Sequence, residues 1–411
     1  MRILMVNKFL YANGGSETYM IKLGNYLKSI GHEVEYFGMQ HELNIVGNKY
    51  GKYTRRVDYR NNSINLWNTA KTALNSIYSM EARLLIKELI ETFKPEIVHL
   101  NNINFQITPS IIFEIKRHGI PIVQTVHDVQ IACPNHRFYI EHTGQICDLC
   151  QSGKYYNCMK NKCVMNSISK SFLATVESYF YHSLDTYNRV DKYICPSKFV
   201  ADKIMTAGVD PNRIVIQHNY FESVKRIELS TTEDYVLYFG RLSKEKGIET
   251  LISIFKDLPN IKIKLAGSGP LLHEVQSASL THTNIEYVGQ LGGNDLHKLI
   301  SGAKFTVYPS EWYENCPLSV IESQSLGVPV IGSDLGGTKE LIRDEVTGLV
   351  FKGCDMSSFK SSIIRLWNDA SLLSEMKKNC QISQSNSLEA YSEKLLDIYG
   401  ELIQKQYKFE R

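Results

Sequence analysis

No apolar run in this sequence approaches the roughly 18–20 residues that a membrane-spanning helix needs. The amino-terminal run Met1–Val6 is too short for a secretory signal, and Asn7 and Lys8 interrupt it. Internal repeats, low-complexity segments and an Asp-x-Asp motif that would hold a catalytic metal ion are also lacking. We therefore expect a cytoplasmic protein without a catalytic metal, in which the nine cysteines are reduced.

Neither sign of charge dominates the 411 residues, because the formal net charge is only +3. This balance does not point to a nucleic-acid partner. Residues 1–190 nevertheless carry 21 Lys and Arg against 15 Asp and Glu. That excess is either ordinary scatter or a basic surface facing anionic lipid or a diphosphate-linked acceptor. A basic and aromatic stretch has the same two interpretations, a solvated face or a contact with the membrane surface: Lys49, Tyr50, Lys52, Tyr53, Arg55, Arg56, Tyr59, Arg60 and Trp67.

The stretch Ser310–Phe351 is the most informative part of the chain. The pattern predicts a strand over Phe305–Tyr308, a polar loop, and a helix that has Pro317 in its first position and Asn315 as its cap. Backbone N–H groups at such a helix start bind phosphate. Glu314 precedes this helix and Glu322 lies inside it, so the two glutamates flank a site of diphosphate size.

Four further loops follow predicted strands, at the sheet edge where open α/β sheets bind ligands. The first carries Gly14, Gly15 and Glu17 before a helix, in a pattern that does not support a nicotinamide site. Another strand delivers His127 and Asp128. The remaining two loops contain a pair of cations and a run of small residues: Arg241 and Lys246, and Gly267-Ser268-Gly269-Pro270.

In their order and spacing, these five segments resemble the retaining glycosyltransferases of family 4, of the kind that build bacterial surface polysaccharides. The resemblance implies an α/β protein of the GT-B fold, with two facing Rossmann-like domains and a cleft between them. Residues 1–218 would form the acceptor-binding domain, with a Cys-rich insertion at about 133–165. Residues 219–385 would bind the nucleotide sugar, and a helix within 386–411 would cross back to the first domain. The crossing between the domains falls near 219–232.

The same resemblance implies roles for individual residues. Glu322 would hydrogen-bond the ribose, and Glu314 would lie near the donor sugar. His127 would hydrogen-bond the donor sugar, and Asp128 would belong to the acceptor-side pocket. Arg241 and Lys246 would neutralise the diphosphate. The donor-binding set would be completed by glycines, by helix-start residues and by the segment that reads the base: Gly14, Gly15, Gly267, Gln290, Leu291, Asn315, Leu318 and Ser319.

The implied reaction transfers a sugar from a UDP- or GDP-type nucleotide sugar to a hydroxyl of a saccharide acceptor, with retention at the anomeric carbon. The acceptor could be linked to a polyprenyl diphosphate. The enzyme would work in the cytoplasm or at the inner face of the plasma membrane. Two alternatives stay open. A nucleotide-sugar epimerase would need no second acceptor, and a non-catalytic binding protein would bind the donor without transfer.

Four cysteines lie within 17 residues of one another: Cys147, Cys150, Cys158 and Cys163. Their number and spacing in a reducing compartment predict a structural zinc site with four thiolate ligands. Free thiols or a redox pair are the alternative. Cys133 is a less favoured fifth participant.

Overall fold

The computed structural model describes residues 1–56, 74–221, 234–382 and 387–409, with the side chains of 382 and 407–409 left aside. Tyr59, Arg60 and Trp67 of the basic and aromatic stretch lie outside these ranges, as do positions 222–232 of the expected domain crossing. The chain divides into two compact units. One comprises Met1–His142, Cys147–His218 and Leu388–Arg411, and the other comprises Thr143–Ile146 and Asn219–Ser387.

The first unit is built on a six-stranded parallel sheet in the order β2-β1-β3-β4-β7-β8. Its inner strands are short segments that are mostly buried, as expected for a parallel sheet covered on both faces, whereas the edge strand Ile214–Ile216 is half-buried to exposed. Their bounds are Arg2–Val6 (β1), Glu33–Phe37 (β2), Ile97–Leu100 (β3), Ile122–Thr125 (β4), Lys192–Cys195 (β7) and Ile214–Ile216 (β8). Two short strands follow β4 in the chain, Tyr139–Ile140 (β5) and Gln145–Ile146 (β6).

Helices alternate with these strands along the chain. They are Gly15–Ser29 (α1), Met80–Phe93 (α2), Ser110–Arg117 (α3), Tyr156–Lys160 (α4), Ile168–Ser183 (α5) and Lys198–Thr206 (α6). β1 pairs with β2 on one side and with β3 on the other. The strand order therefore reverses direction between β1 and β3, and ligands bind outside the carboxyl ends of strands at such a point.

The second unit repeats this architecture with the sheet order β11-β10-β9-β12-β13-β14, again parallel. The strands are Val236–Phe239 (β9), Ile263–Ala266 (β10), Ile285–Tyr287 (β11), Phe305–Tyr308 (β12), Val330–Ser333 (β13) and Gly348–Phe351 (β14). The helices are Ile248–Lys256 (α7), Leu272–Thr281 (α8), Gly293–Gly302 (α9), Leu318–Ser325 (α10), Thr338–Leu341 (α11), Met356–Asn368 (α12) and Ala370–Ile382 (α13). Here the order reverses between β9 and β12.

The last helix, Leu388–Phe409 (α14), is part of the first unit. Its side chains Tyr391, Leu395 and Tyr399 are buried. The Tyr391 hydroxyl lies 2.7 Å from that of Tyr19 on α1, and the Tyr399 hydroxyl bonds Nδ1 of His99 on β3. Buried hydroxyls with partners join this helix to the sheet more specifically than apolar packing alone.

Candidate active site

An ion pair lies at the point in the second unit where the strand order reverses. Lys246 ends a short 3₁₀ turn after β9, and Glu314 lies in the loop after β12. Because β9 and β12 are neighbours in the sheet, these loops meet, and Lys246 Nζ lies 2.5 Å from Glu314 Oε1. Lys246 Nζ also donates to the Tyr308 hydroxyl at 2.9 Å. The sequence positions of the two charges are far apart, and the sheet brings them together.

Glu314 is the centre of a hydrogen-bond cluster. Besides Lys246, its Oε1 accepts bonds from Trp312 Nε1 at 2.5 Å and from the Ser310 hydroxyl. Burial by itself would raise the pKa of this carboxyl group, but the charge of Lys246 and the three donors outweigh burial, so the pKa lies below its usual value. Glu314 is therefore an ionised carboxylate with a fixed orientation.

Two glycines allow the loops around this cluster to approach one another. Gly336 has φ +66°, and a Cβ atom there would lie 2.2 Å from the Glu314 carbonyl oxygen. The next residue, Gly337, donates its N–H to that oxygen at 2.8 Å. Gly267 has φ +141°, and its Cβ would lie 1.9 Å from the Gly240 carbonyl oxygen, in the loop that carries Arg241. Side chains at these positions would separate the loops that form the site.

Helix α10 starts beside this cluster, although not as the sequence predicts. Pro317 occupies the cap position instead of the first helical position, and no side chain caps the helix, so the interpretation of Asn315 as the cap is wrong. The reason is local: Pro317 has ψ 117°, which places it outside the helix, and the helix begins at Leu318. The backbone bonds begin with Val320 N–H donating to the Pro317 carbonyl at 3.1 Å. Leu318 and Ser319, whose amides precede that bond, are half-buried.

Arg241 lies in the same group of loops, directly after β9 and Gly240. Its side chain is exposed, and its carbonyl oxygen accepts a bond from the Tyr238 hydroxyl at 2.7 Å. The second unit thus combines a half-buried, paired cation with an exposed one. This combination suits a ligand with an extended negative charge, because a guanidinium group and an ammonium group both bind phosphate oxygens.

Glu322 lies on α10 and contacts a residue that the sequence did not single out. Its Oε1 is 3.2 Å from Nε2 of His297 on α9, and both side chains are largely buried. Gln290 and Leu291 precede α9, in a segment anchored by the bond from Gly267 N–H to the Gly289 carbonyl at 2.9 Å. The residues predicted to contact the nucleoside therefore lie around one edge of this sheet.

In the first unit, the predicted glycine turn follows β1. Gly14 precedes α1 and accepts the N–H of Thr18 at 3.0 Å. Glu17 is buried and accepts bonds from Asn7 Nδ2 at 3.2 Å and from the Ser16 hydroxyl at 3.0 Å. Gly14 and Gly15 remain exposed at the start of the helix. The backbone groups of this turn are therefore accessible to a ligand, whereas the Glu17 carboxylate is bonded within the protein.

His127 follows β4 and is held by two neighbours. Its Nε2 lies 2.9 Å from Asn101 Oδ1, and the Tyr19 ring packs edge-on at a centroid distance of 4.9 Å. Burial lowers the pKa of His127 to about 4 despite the nearby charge of Asp128. The imidazole is therefore neutral at pH 7, and since Asn101 presents an oxygen, Nε2 carries the hydrogen.

Asp128 belongs to a second polar cluster, formed by residues after β1, β3 and β4. Asn104 Nδ2 donates to Asp128 Oδ2 at 2.8 Å and lies 2.9 Å from Nδ1 of His136. The Asn104 oxygen accepts from Lys8 Nζ, and the His136 ring stacks on Phe105 with centroids 4.8 Å apart. Burial lowers the pKa of Lys8, an effect that the charges of Asp128 and Glu17 oppose.

The four predicted zinc ligands lie together in the first unit. Cys150, Cys158 and Cys163 pack with Ile140 and Tyr155 in a small buried cluster, and Cys147 is at its edge. Among the described residues, no group of three or more His, Cys, Asp or Glu side chains is placed to hold a metal ion. Burial raises the pKa of Cys147 and Cys150, while the hydrogen bond with Cys158 lowers the pKa of Cys163. The zinc site stays a prediction from the sequence.

Several residues at these two sheet edges were not identified from the sequence: Lys8, Asn104, His136, His297, Tyr308 and Trp312. Lys8, Asn104 and Tyr308 directly follow or end strands, so the rule that ligands bind at strand ends could have found them. His297 lies within a helix of otherwise ordinary surface composition. Only the fold reveals its contact with Glu322.

Two family models match consecutive parts of the chain. The model described as "Glycosyltransferase Family 4" matches residues 13–222, about half of the chain. The model described as "Glycosyl transferases group 1" matches residues 220–382.

Curated relatives and solved structures extend the match to nearly the full length. The chain is 24% identical over 381 residues to an Escherichia coli UDP-Gal:alpha-D-GlcNAc-diphosphoundecaprenol alpha-1,3-galactosyltransferase, covering 89% of this chain and 90% of that protein. It is 26% identical over 231 residues to a Corynebacterium glutamicum GDP-mannose-dependent alpha-mannosyltransferase, covering 53% and 54% of the two chains. Anabaena HepE, solved with UDP and glucose, superposes with a TM-score of 0.68 at 14% identity, over 98% of this chain and 100% of that one. Sucrose-phosphate synthase from Thermosynechococcus elongatus superposes with a TM-score of 0.69 at 17% identity, over 98% and 99%.

Within the described ranges, no helix combines the length and the apolar character that crossing a bilayer requires.

Proposed function

We propose that this protein transfers a sugar, with retention, from a nucleotide-diphosphate donor to a saccharide hydroxyl. The proposal starts from the fact that the chain belongs to glycosyltransferase family 4 and is a glycosyltransferase. The observation that carries this proposal is the Lys246–Glu314 ion pair, which lies where the strand order reverses and beside the start of α10. Fixed positive charge at such a point suits a diphosphate leaving group.

The difficult step in this reaction is the departure of the nucleoside diphosphate. As the bond between the anomeric carbon and the phosphate oxygen breaks, negative charge grows on the phosphate and the sugar becomes cation-like. Lys246, Arg241 and the amides of Leu318 and Ser319 would stabilise that growing charge, and no divalent metal takes part in the proposed step. Since these groups are in place before the reaction, they cost little reorganisation when it occurs.

Retention is proposed to follow from attack on the face that the phosphate leaves. The acceptor oxygen forms its bond to the anomeric carbon on this face, and its proton passes to the departing phosphate oxygen. Glu314 is poorly suited to act as a covalent nucleophile, because three donors converge on its Oε1. We assign its other oxygen, Oε2, to a hydroxyl of the donor sugar.

The acceptor is proposed to bind the first unit, at the cluster of Asp128, Asn104 and His136. The E. coli relative acts on a saccharide linked to diphosphoundecaprenol, as its name states. That relative and the excess of Lys and Arg in residues 1–190 favour a polyprenyl-diphosphate-linked saccharide, used in cell-surface polysaccharide synthesis. Transfer would then take place at the cytoplasmic face of the membrane, with the protein bound peripherally.

A transfer assay tests this function directly. The purified protein is incubated with a panel of UDP- and GDP-sugars, each with and without undecaprenyl-diphosphate-linked saccharides. We expect one donor to yield a lengthened lipid-linked product only when acceptor is present, and the NMR coupling constant at the new anomeric centre to match the configuration of the donor. A product of inverted configuration would contradict retention. Conversion of the donor sugar without an acceptor would indicate an epimerase, and donor binding without any transfer would indicate a binding protein.

A further inference from the structure

Phe221, His297 and Glu322 form a row of contacts within the second unit. The rings of Phe221 and His297 meet edge to face, with centroids 5.9 Å apart. On its other side, His297 Nε2 lies 3.2 Å from Glu322 Oε1. Only 13% of the His297 side chain and 20% of the Glu322 side chain is exposed. The imidazole is therefore fixed by a ring on one side and a carboxylate on the other.

The hydrogen positions follow from the partners. A carboxylate in its ionised form can only accept, so Nε2 of His297 must carry the hydrogen that joins the two residues. Nδ1 of His297 is buried and has no hydrogen-bond partner among the described residues. A buried nitrogen of this kind requires an explanation, since burying a polar atom without a bond costs stability. Among the described residues, the polar contact that holds this ring is thus the one between Nε2 and Glu322.

The position of His297 in the chain connects two parts of the proposed nucleotide site. Helix α9 begins at Gly293, just after the segment Gln290–Leu291 that we assign to the base. His297 lies about one turn into this helix. Its partner Glu322 lies on α10, the helix whose start we assign to the phosphates. His297 thus joins the helix that follows the base segment to the carboxylate assigned to the ribose.

We infer that His297 is a positioning residue of the nucleoside subsite, and that its Nε2–H holds Glu322 so that the other carboxylate oxygen, Oε2, accepts bonds from the ribose hydroxyls. This inference depends on the proposed function, because Glu322 meets a ribose only if the ligand is a nucleotide. A carboxylate fixed in this way loses less conformational freedom when it binds the sugar. The residue does not touch the reacting atoms, so it acts on nucleotide affinity and not on the chemical step.

Ribose recognition can be measured without knowing the sugar or the acceptor. Titration calorimetry gives the Kd of UDP and GDP and of their 2′,3′-dideoxy analogues for the full chain and three variants. Glu322→Ala removes the carboxylate. His297→Phe keeps an aromatic ring to pack on Phe221 but removes the donor, and His297→Gln keeps an N–H donor. The ratio of the two Kd values within each protein reports the ribose contact and cancels general damage to the fold.

The wild type should bind one ribonucleotide about tenfold or more tightly than its dideoxy analogue, as expected for hydrogen bonds to a charged group. Glu322→Ala should bring the ratio near one, His297→Phe should lower it at least about threefold, and His297→Gln should restore most of it, because only a donated bond is needed.

The outcomes separate the inference from the proposed function. If neither UDP nor GDP binds the wild type, the proposed function fails. If Glu322→Ala abolishes the preference for ribose while His297→Phe keeps the wild-type ratio, the positioning role is overturned and the proposed function stands. Loss of the preference in both His297 variants would show that a donated hydrogen bond at this position is not sufficient to orient Glu322, and would likewise overturn the role.

Discussion

Lys246 and Arg241 carry the charge that the proposed reaction requires. Replacing either with Ala should lower kcat/KM by about 100-fold or more, because a preorganised group that stabilises the leaving phosphate is lost. Lys246→Ala also leaves the buried carboxylate of Glu314 without its cation, so its thermal unfolding should be measured beside initial rates with the identified donor.

A matched control lies in the same turn. Lys244 is exposed and belongs to the same 3₁₀ turn as Lys246. Lys244→Ala should leave kcat/KM within about twofold of the wild type, since an exposed charge makes little fixed contact. Near-normal turnover in both Arg241→Ala and Lys246→Ala would remove the role assigned to these cations.

Glu177 on α5 gives the folded protein a distinct pH dependence. Burial raises its pKa to about 8, aided by the charge of Asp128 and opposed by the bond from Gln130. The folded carboxyl is thus protonated where the unfolded chain is already ionised. Its contribution to stability is complete below pH 4.5 and is lost as the pH rises through 8, at about 1.4 kcal/mol for each unit of pKa difference.

Urea unfolding at pH 5, 6.5 and 8 measures this contribution. Glu177→Gln should be more stable relative to the wild type at pH 8 than at pH 5, because the amide needs no proton to remain neutral. Glu141→Gln is the matched control, as its side chain is 69% exposed and should show no such trend. Parallel pH profiles for the wild type and Glu177→Gln would mean that Glu177 is already ionised in the folded protein.

Helix α14 depends on two buried tyrosine hydroxyls. Tyr399→Phe leaves the buried Nδ1 of His99 without its partner, and Tyr391→Phe removes the bond to Tyr19. Each change should lower the free energy of unfolding by about 1–3 kcal/mol. The exposed Tyr156→Phe serves as the control in urea unfolding. Losses below about 0.5 kcal/mol in both variants would show that apolar packing alone holds the helix.

The zinc site predicted for Cys147, Cys150, Cys158 and Cys163 can be tested by chemical analysis. From the sequence we expect about one zinc per chain, and we expect EDTA treatment to leave transfer intact, because a site with four thiolates is structural. The measurement is elemental analysis of protein purified without metal-binding tags, with a Cys158→Ser and Cys163→Ser double variant as control. Zinc-free protein of full activity would overturn the zinc prediction and leave these cysteines as part of the small buried cluster that they form with Ile140 and Tyr155.

At the level of the complete chain, the two units differ in continuity. The second unit is one continuous stretch, Asn219–Ser387, to which only the short segment Thr143–Ile146 is added. The two ends of the long stretch meet in a β-bridge between Phe221 and Ser387. The first unit requires α14. A fragment of residues 219–387 should therefore unfold cooperatively in urea, whereas a fragment of residues 1–218 should not, because it lacks Tyr391, Leu395 and Tyr399. Equal cooperativity in both fragments would show that α14 is dispensable.

The sequence identified much of this architecture. The strand Phe305–Tyr308 has its predicted bounds, and the resemblance to family 4 glycosyltransferases implied two Rossmann-like domains, in agreement with the two parallel sheets. The pattern showed that Lys246 and Glu314 each follow a strand. It did not show that β9 and β12 are neighbours, and this is what brings the two charges within 2.5 Å. Strand order depends on packing between segments that are distant in the chain, which local periodicity does not report.

The remaining errors have equally local causes. The fixed φ of Pro317 suits the first helical position, but its observed ψ of 117° places it before the helix. His297 carries no signal of its own, because a single His in a polar helix has many ordinary roles. Side-chain contacts of this kind are fixed only when two helices pack.

The position of α14 also determines the order in which this protein can be completed in the cell. A ribosome delivers the residues of the second unit before it delivers Leu388–Phe409, so the nascent chain can finish its second unit while its first is still incomplete. Until Leu388–Phe409 has been made, the buried surface that receives Tyr391 and Tyr399 is open to water. A stop codon that removes Leu388–Phe409 would therefore leave this surface exposed and damage the earliest-made part of the protein.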